Sequence, residues 1–72
     1  MVIYCPFCDG QGIVVRATVK KLNRNIHICD ECDTMWLEGE RIDTETGKSF
    51  DLFMKNNGLE PLWSELTSIQ RG

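Results

Sequence analysis

Histidine, tyrosine and proline are scarce in this sequence, which contains one, one and two of them among 72 residues. The single histidine, His27, has no second histidine to act with, and all thiols belong to two cysteine pairs. A nucleophile beside an activating base, which hydrolytic and transfer chemistry needs, is therefore not assembled. We expect a protein that is not an enzyme and that takes no small-molecule substrate.

Two kinds of hydrophobic segment are also missing. No run approaches the roughly 18 apolar residues of a membrane-spanning helix, so we expect no membrane association. The first residues, Met1–Cys5, have neither the basic n-region nor the apolar h-region of a signal peptide. We therefore expect a cytoplasmic protein, in a reducing compartment that favours metal thiolates over disulfides.

The cysteines are the residues that we expect to cross-link and stabilise so short a chain. A chain of 72 residues forms one domain, residues 1–72, whose core alone gives marginal stability. The four cysteines form two C-x-x-C pairs, Cys5 with Cys8 and Cys29 with Cys32. Two intervening residues suit a tight turn that aims both sulfurs at one point. Two such turns predict a tetrahedral four-thiolate site for one structural Zn²⁺ ion.

Two disulfides, a redox-active pair and an iron site are the alternatives to structural zinc. A redox C-x-x-C of the thioredoxin type needs a βαβ context, which neither pair has. Four thiolates fill every position of a tetrahedral ion and leave none for water or substrate, so we favour a closed structural site. The choice between zinc and iron stays open. Because zinc binding contributes on the order of 10 kcal/mol or more in small zinc domains, we expect the metal-free chain to be largely unfolded.

Hydrophobic alternation predicts a three-stranded antiparallel sheet in the first half of the chain. The strands are expected at residues 12–20, 25–29 and 34–37, with a short strand at 2–5 leading into the first cysteine turn. Asn23 and Asn25 tolerate the left-handed angles of the reversal, and Gly10 and Gly12 permit them after the first turn. Trp36 is expected to pack on the cysteines and shield them from water.

The last third of the chain changes to a helical period. Ser49 can cap a helix through Asn57, and Gly58 suits the position after its end. Pro61 predicts the start of a second short helix, because apolar residues continue at helical spacing. That stripe consists of Leu59, Leu62, Trp63, Leu66 and Ile69. The fold class is therefore a small metal-stapled α+β domain, with residues 49–69 as a helical tail on the sheet.

Charge separates along the sequence. The formal charge is −3, and four thiolates with one zinc ion would change it to −5. This balance suits a basic protein partner better than non-specific nucleic-acid binding. An acidic segment follows Cys29, and we take three of its carboxylates and one later tryptophan as candidate partner-binding residues: Glu38, Glu40, Asp43 and Trp63. The alternative is a nucleic-acid-binding module that uses the basic residues of the hairpin, namely Arg16, Lys20, Lys21 and Arg24.

Residues 3–37 resemble the zinc-ribbon (rubredoxin-like) fold group, in which two cysteine turns are joined through a hairpin. The resemblance implies Cys5, Cys8, Cys29 and Cys32 as ligands and places the ribbon at residues 1–42. Many such turns have glycine directly after the second cysteine, where this chain has Asp9 and Asp33. The first turn can use Gly10 instead, whereas Asp33 must itself adopt the left-handed conformation.

A second resemblance spans most of the chain. C-P-x-C at Cys5–Cys8, I-C-D-E-C-x-x-x-W at Ile28–Trp36 and the segment Gly58–Leu66 are similar to small stand-alone bacterial proteins. Those proteins look like immunity or antitoxin partners of contact-delivered toxins. The resemblance implies a small inhibitor that binds and blocks a basic toxin of the nuclease type.

Overall fold

The protein is described here from a computed structural model that covers residues 3–8 and 11–71. Within these residues the chain forms six strands, one α-helix and one 3-10 turn. In chain order they are β1 Ile3–Tyr4, β2 Ile13–Val19, β3 Arg24–Cys29, β4 Thr34–Leu37, β5 Lys48–Ser49, α1 Phe50–Asn56, the 3-10 turn Trp63–Glu65 and β6 Leu66–Arg71. Val2, Asp9 and Gly10, which carry parts of the sequence-based predictions, lie outside the described residues.

The strands form one antiparallel sheet in the order β1-β2-β3-β4-β5, with β6 also paired to β2. β3 occupies one edge of β2 from Val14 to Val19. β1 pairs with Ile13 and Val14, and β6 pairs with β2 between Val15 and Val19. Since a strand has two edges, β1 and β6 share the second edge of β2, one after the other. β2 is therefore the central strand of the sheet.

The alternation predicted for β2 is confirmed. Val15, Ala17 and Val19 lie in the main core, where Ile26 and Ile28 of β3 meet them. The opposite face of β2 carries exposed Arg16, whereas Val14 belongs to a second buried cluster around the cysteines. Asn23 has a φ of 51°, so the reversal uses the left-handed residue expected there.

The first predicted helix is also confirmed. Ser49 caps α1, and its hydroxyl accepts a hydrogen bond from the Leu52 N–H at 3.3 Å. Phe50 and Met54 are buried against the sheet, as their spacing predicts. Gly58 has a φ of 72°, the left-handed angle that commonly ends a helix. The helix covers the main core on the face opposite the cysteines.

The second predicted helix is wrong, because Pro61 is followed by the 3-10 turn and then by β6. An isolated helix of that length is marginal in water. The backbone of Leu66–Arg71 instead forms hydrogen bonds with the open edge of β2. As a result, the apolar residues of the predicted stripe do not all face the core. Leu66 is buried, while Ile69 remains 47% exposed on β6. The sheet consequently has six strands, where three were expected.

β6 is irregular. Its register with β2 shifts between Arg16 and Thr18, and Ser68 there has a φ of 55°. A β-bulge of this kind twists an edge strand and makes its outer edge a poor template for further pairing. No helix within the described part of the chain is long and apolar enough to cross a membrane.

Two positions of α1 test the packing of the helix. Met54 is fully buried, and Leu52 is 61% exposed on the other side of the same helix. Met54→Ala should lower the free energy of unfolding by about 2–5 kcal/mol, because it leaves a cavity. Leu52→Ala should change it by less than about 0.5 kcal/mol. Urea unfolding with zinc supplied measures both, and equal losses would contradict this packing.

Candidate metal centre

Both cysteine turns are attached to the first residues of β2. The Cys5 N–H donates to the Gly12 carbonyl at 2.9 Å, and the Asp30 N–H donates to the Ile13 carbonyl at 3.1 Å. The Asp30 carboxylate in turn accepts from the Ile13 N–H at 3.0 Å. Cys29 is the last residue of β3, so the hairpin delivers the second turn directly to the first. The two cysteine turns are thereby held side by side.

The four sulfurs form one compact cluster. All four lie within 4.8 Å of one another. The Cys5 and Cys32 Sγ atoms are 3.7 Å apart, and those of Cys8 and Cys29 are 3.6 Å apart. A zinc ion with four thiolates at about 2.3 Å requires sulfur separations of about 3.8 Å at the edges of the tetrahedron. The four cysteines are free rather than disulfide-bonded, and they can hold one metal ion.

Gly12 provides the space for this cluster. A Cβ at Gly12 would overlap the Cys29 Sγ and would lie 3.2 Å from the Cys8 Sγ. The expectation that Gly12 adopts a left-handed conformation is wrong, since Gly39 and Gly58 are the glycines with positive φ in the described part of the chain. Gly12 is needed for the close approach of the sulfurs and not for its backbone angle.

Asp33 follows the second pair of cysteines and has a φ of 58°. This confirms the prediction that a non-glycine residue takes the left-handed place in the second turn. The Glu31 N–H points at the Cys29 Sγ at 3.4 Å, and the Thr34 hydroxyl lies 3.1 Å from the Cys32 Sγ. Such contacts to sulfur help to carry thiolate charge.

The close packing of the sulfurs opposes the ionisation of all four thiols together unless a cation is present. Burial raises the pKa of the Cys5 thiol, and hydrogen bonding to Cys32 followed by burial raises the pKa of Cys8. At Cys32, burial also acts to raise the pKa. The hydrogen bonds of Cys32 to Thr34, and then those to Cys8 and Cys29, outweigh burial and lower the pKa to about 7. Thiolates this close repel one another, and a divalent cation removes that conflict.

A metal bound by four thiolates would have no open position, so its chemistry here is that of a cross-link between the two turns. Soft thiolate ligands suit zinc and iron–sulfur chemistry alike, and the geometry does not choose between zinc and iron. The exposed member of the cluster is Cys32, whereas Cys5 and Cys29 are buried.

Trp36 shields the cluster, as expected. It is fully buried in one cluster with Cys5 and Cys29, and the Phe7 ring packs on it with a centroid separation of 6.3 Å. Its indole N–H donates to the Asp43 carbonyl at 3.0 Å. The connection between β4 and β5, residues 38–47, therefore folds over Trp36, and we call it the covering loop.

Two of the candidate partner-binding carboxylates hold the covering loop in place. Glu40 accepts from the Leu37 N–H at 2.8 Å, and both its oxygens contact the Lys48 Nζ, at 2.6 and 2.8 Å. Asp43 accepts from the Thr46 hydroxyl and from the N–H groups of Glu45 and Thr46. Bonding to Lys48 lowers the pKa of Glu40, and bonding to Thr46 lowers that of Asp43. Both side chains are thus occupied by internal contacts.

The other two candidates lie apart. Glu38 is exposed and accepts from the Asn25 side-chain amide at 3.0 Å. Trp63 is half-buried, and its indole N–H donates to the Asp33 carboxylate at 3.0 Å, which ties the chain after α1 to the second cysteine turn. No hydrogen bond or ion pair between described residues joins Trp63 to Glu38, Glu40 or Asp43.

His27 lies half-buried on the outer sheet face, where it pairs across strands with Arg16 and Trp36. Its Nδ1 is buried and has no hydrogen-bond partner among the described residues. Burial, and then the nearby Arg16 charge, lowers its pKa, so the ring is neutral at pH 7. His27 does not belong to the group of clustered sulfurs.

The sequence analysis missed several residues that build the site. Gly12 was expected to matter for its backbone angle. The hydrogen bond from Ile13 to the Asp30 carboxylate was not predicted, and Thr34 was predicted only as a strand residue. The local sequence gives one sign of the role of Gly12, which is a glycine directly before the hydrophobic strand β2. Its significance appears only when the sulfurs of both turns surround it.

Metal removal tests the site directly. We expect one equivalent of Co²⁺ to bind with the strong thiolate-to-cobalt absorption of a tetrahedral four-sulfur site, and one equivalent of Zn²⁺ to displace it. A strong chelator should then abolish most of the folded circular dichroism signal, because the cross-link contributes on the order of the whole stability of a small domain. An unchanged spectrum in the chelator would refute a metal-dependent fold.

A pair of glycine substitutions separates the metal site from general backbone strain. Gly12→Ala should weaken zinc binding by at least about tenfold, since its Cβ would push the Cys29 sulfur away. Gly39→Ala, at a φ of 91° with open space around it, should destabilise the fold by about 1 kcal/mol. Because folding and zinc binding are coupled, it should weaken zinc binding by no more than about fivefold. Competition with a chromophoric chelator measures both affinities, and equal losses would contradict the role given to Gly12.

Comparison of the chain with protein-family models, curated proteins and solved structures finds no match. The metal site is therefore assigned from its own geometry, namely the sulfur separations, the clearance at Gly12 and the bonds to β2. The likeness to immunity proteins stays a hypothesis based on short motifs.

Proposed function

We propose that this chain is a non-catalytic protein-binding module, stapled by zinc, that binds and blocks a basic protein partner as an immunity protein blocks its toxin. The observation that carries the proposal is the separation of charge along the molecule. Exposed carboxylates of the second cysteine turn and of the covering loop lie at the metal end of the sheet, and the basic residues at the hairpin tip lie at the other end.

The metal end is formed by the second cysteine turn and the covering loop. Asp30, Glu31 and Asp33 of the turn are exposed, as is Glu45 of the loop, whereas Glu38 lies beside Asn25 near the hairpin tip. Four thiolates with one zinc ion add a formal charge of −2 at the same end. Lys20, Lys21 and Arg24 lie beyond the far end of β2, which at about 3.3 Å per residue spans about 20 Å. The molecule is 31 Å long, so the two charge clusters lie near its opposite ends.

A protein of this kind would meet a basic partner with its negative end, and the field would speed the encounter. The closed four-thiolate site supports a structural and not a catalytic role for the metal, since no ligand position is free for substrate. The motif likeness to immunity proteins supports a toxin of the nuclease type as the partner. Such enzymes need basic surfaces to bind nucleic acid.

Nucleic-acid binding is the second candidate, and one observation favours it. A polar cavity of about 200 Å³ lies on the outer sheet face beside β6, and its lining includes Arg16, Ser68 and Gln70. Arg16 forms no ion pair with another described residue. A phosphate is the group that such a site would take. RNA or DNA binding that falls when Arg16 is replaced by glutamine would favour this candidate over the first.

Charge reversal tests the first candidate. The partner is first identified by affinity capture followed by mass spectrometry and is then purified separately. Glu31→Lys with Glu45→Lys should lower the association rate by about tenfold at low salt and much less at high salt. Glu40 and Asp43 are unsuitable, because they hold the covering loop. Glu60→Lys, at an exposed position after α1, is the control for net charge and should leave the rate nearly unchanged. Stopped-flow fluorescence gives the rates, and equal effects of Glu45→Lys and Glu60→Lys would refute binding through the metal end.

A further inference from the structure

A groove of about 450 Å³ opens beside the exposed sulfur of the metal centre. Its lining includes the Phe7 ring and Thr34, together with the Cys32 sulfur. Asp33 and Asp51 also line it, the first from the second cysteine turn and the second from the start of α1. The groove thus brings together an aromatic ring, a thiolate and two carboxylates from three separate parts of the chain, namely the two cysteine turns and the start of α1. None of the four candidate partner-binding residues lines it.

We propose that this groove receives an arginine side chain of the basic protein partner. The inference rests on the proposed function, which supplies a basic partner, and it names the part of the surface that recognises that partner. The occupant follows from charge complementarity and from the exposed ring, because a guanidinium is the side-chain group that both stacks on an aromatic face and pairs with carboxylates.

The aromatic part of the groove is held in place before any partner binds. Phe7 is 48% exposed, while Trp36 packs against its ring at a centroid separation of 6.3 Å. A Cβ added at Gly47 would lie 2.9 Å from the Phe7 Cζ, so the covering loop also contacts the ring closely. A ring fixed on two sides loses little freedom when a cation stacks on it, which favours binding.

The negative charge of the groove comes from groups that can still pair with an incoming cation. One oxygen of Asp33 accepts from the Trp63 indole, which leaves its second oxygen available. Asp51 pairs with Lys55 at 3.1 Å, and both side chains are more than half exposed. An exposed pair of this kind contributes little and exchanges easily. Cys32 is the exposed ligand of the four, so the negative charge of a zinc–thiolate centre reaches solvent on this side.

Lys48 also lines the groove, but its charge is already compensated. Its Nζ contacts both oxygens of Glu40 and the Thr46 carbonyl, at 2.6, 2.8 and 3.0 Å. All three ammonium donors are therefore directed to the covering loop. Arginine fits better than lysine as the incoming residue, because its planar group can stack on Phe7 while it donates two parallel hydrogen bonds to one carboxylate.

NMR titration of the zinc-loaded protein with a blocked Gly-Arg-Gly peptide tests the groove. Amide signals of Phe7, Thr34 and Gly47 should shift in a saturable way, with a dissociation constant on the order of millimolar, as befits one side chain. The same peptide with citrulline, the uncharged isostere of arginine, should bind at least fivefold more weakly, and so should the lysine peptide. Equal shifts with citrulline, or shifts confined to another surface, would overturn the proposal.

Two variants identify the groups responsible. Asp33→Asn should weaken binding of the arginine peptide at least fivefold. The NMR signal of the Trp63 indole should stay in place, because an amide oxygen can still accept its hydrogen bond. Phe7→Leu should weaken binding of the arginine peptide by a similar factor. It should also reduce the ratio of the affinities for the arginine and lysine peptides. Glu31→Gln removes the same charge from the same turn at a residue outside the groove, and it should change binding by less than twofold. A loss with Glu31→Gln that matches Asp33→Asn would overturn the site.

The outcomes separate the groove from the proposed function. A salt-dependent complex with the basic partner that is unaffected by Asp33→Asn and Phe7→Leu would refute the groove and leave the function intact. Saturable arginine binding in the groove, with no complex formed by the purified basic partner, would refute the function and leave the arginine site intact.

Discussion

Gly12 and Ile13, at the start of β2, hold the two halves of the metal centre together. The backbone of these two residues bonds to both cysteine turns, and the missing side chain of Gly12 leaves room for the sulfurs. The same strand continues into the core, where it pairs with β3 and β6. The cysteine cluster and the core thus lie at two ends of one strand. In a domain with so small a core, a metal cross-link at that cluster would add to the stability of the sheet.

The acidic segment has two distinct roles that its composition does not reveal. Glu40 and Asp43 stabilise the covering loop, and that loop closes over Trp36, which in turn shields Cys5 and Cys29. Asp30 braces the second cysteine turn. Glu38, Glu45 and Glu31 are the more exposed remainder. Carboxylates with internal hydrogen bonds therefore stabilise the surface, and the exposed ones give it its charge.

Trp63 connects the end of the chain to the metal end. Its ring packs against the main core, and its indole bonds to Asp33, so the segment between α1 and β6 reaches the second cysteine turn. The same carboxylate lines the groove beside Cys32. The indole of Trp63, a predicted partner-binding residue, thus fixes the position of an acidic side chain in this groove.

Local patterns in the sequence determined the cysteine pairs, the alternation of β2, the Ser49 cap and the left-handed Asp33. Each depends on residues that are neighbours in the chain, so spacing and side-chain type are sufficient to predict it. Tertiary structure alone decided the fate of Leu66–Arg71, whose apolar spacing fits a helix but whose backbone pairs with the free edge of β2. It also decided the clearance at Gly12, the internal bonds of Glu40 and Asp43, and the groove beside Phe7. These features arise where segments distant in sequence meet, and there hydrogen bonding and steric contact across the fold outweigh local preference.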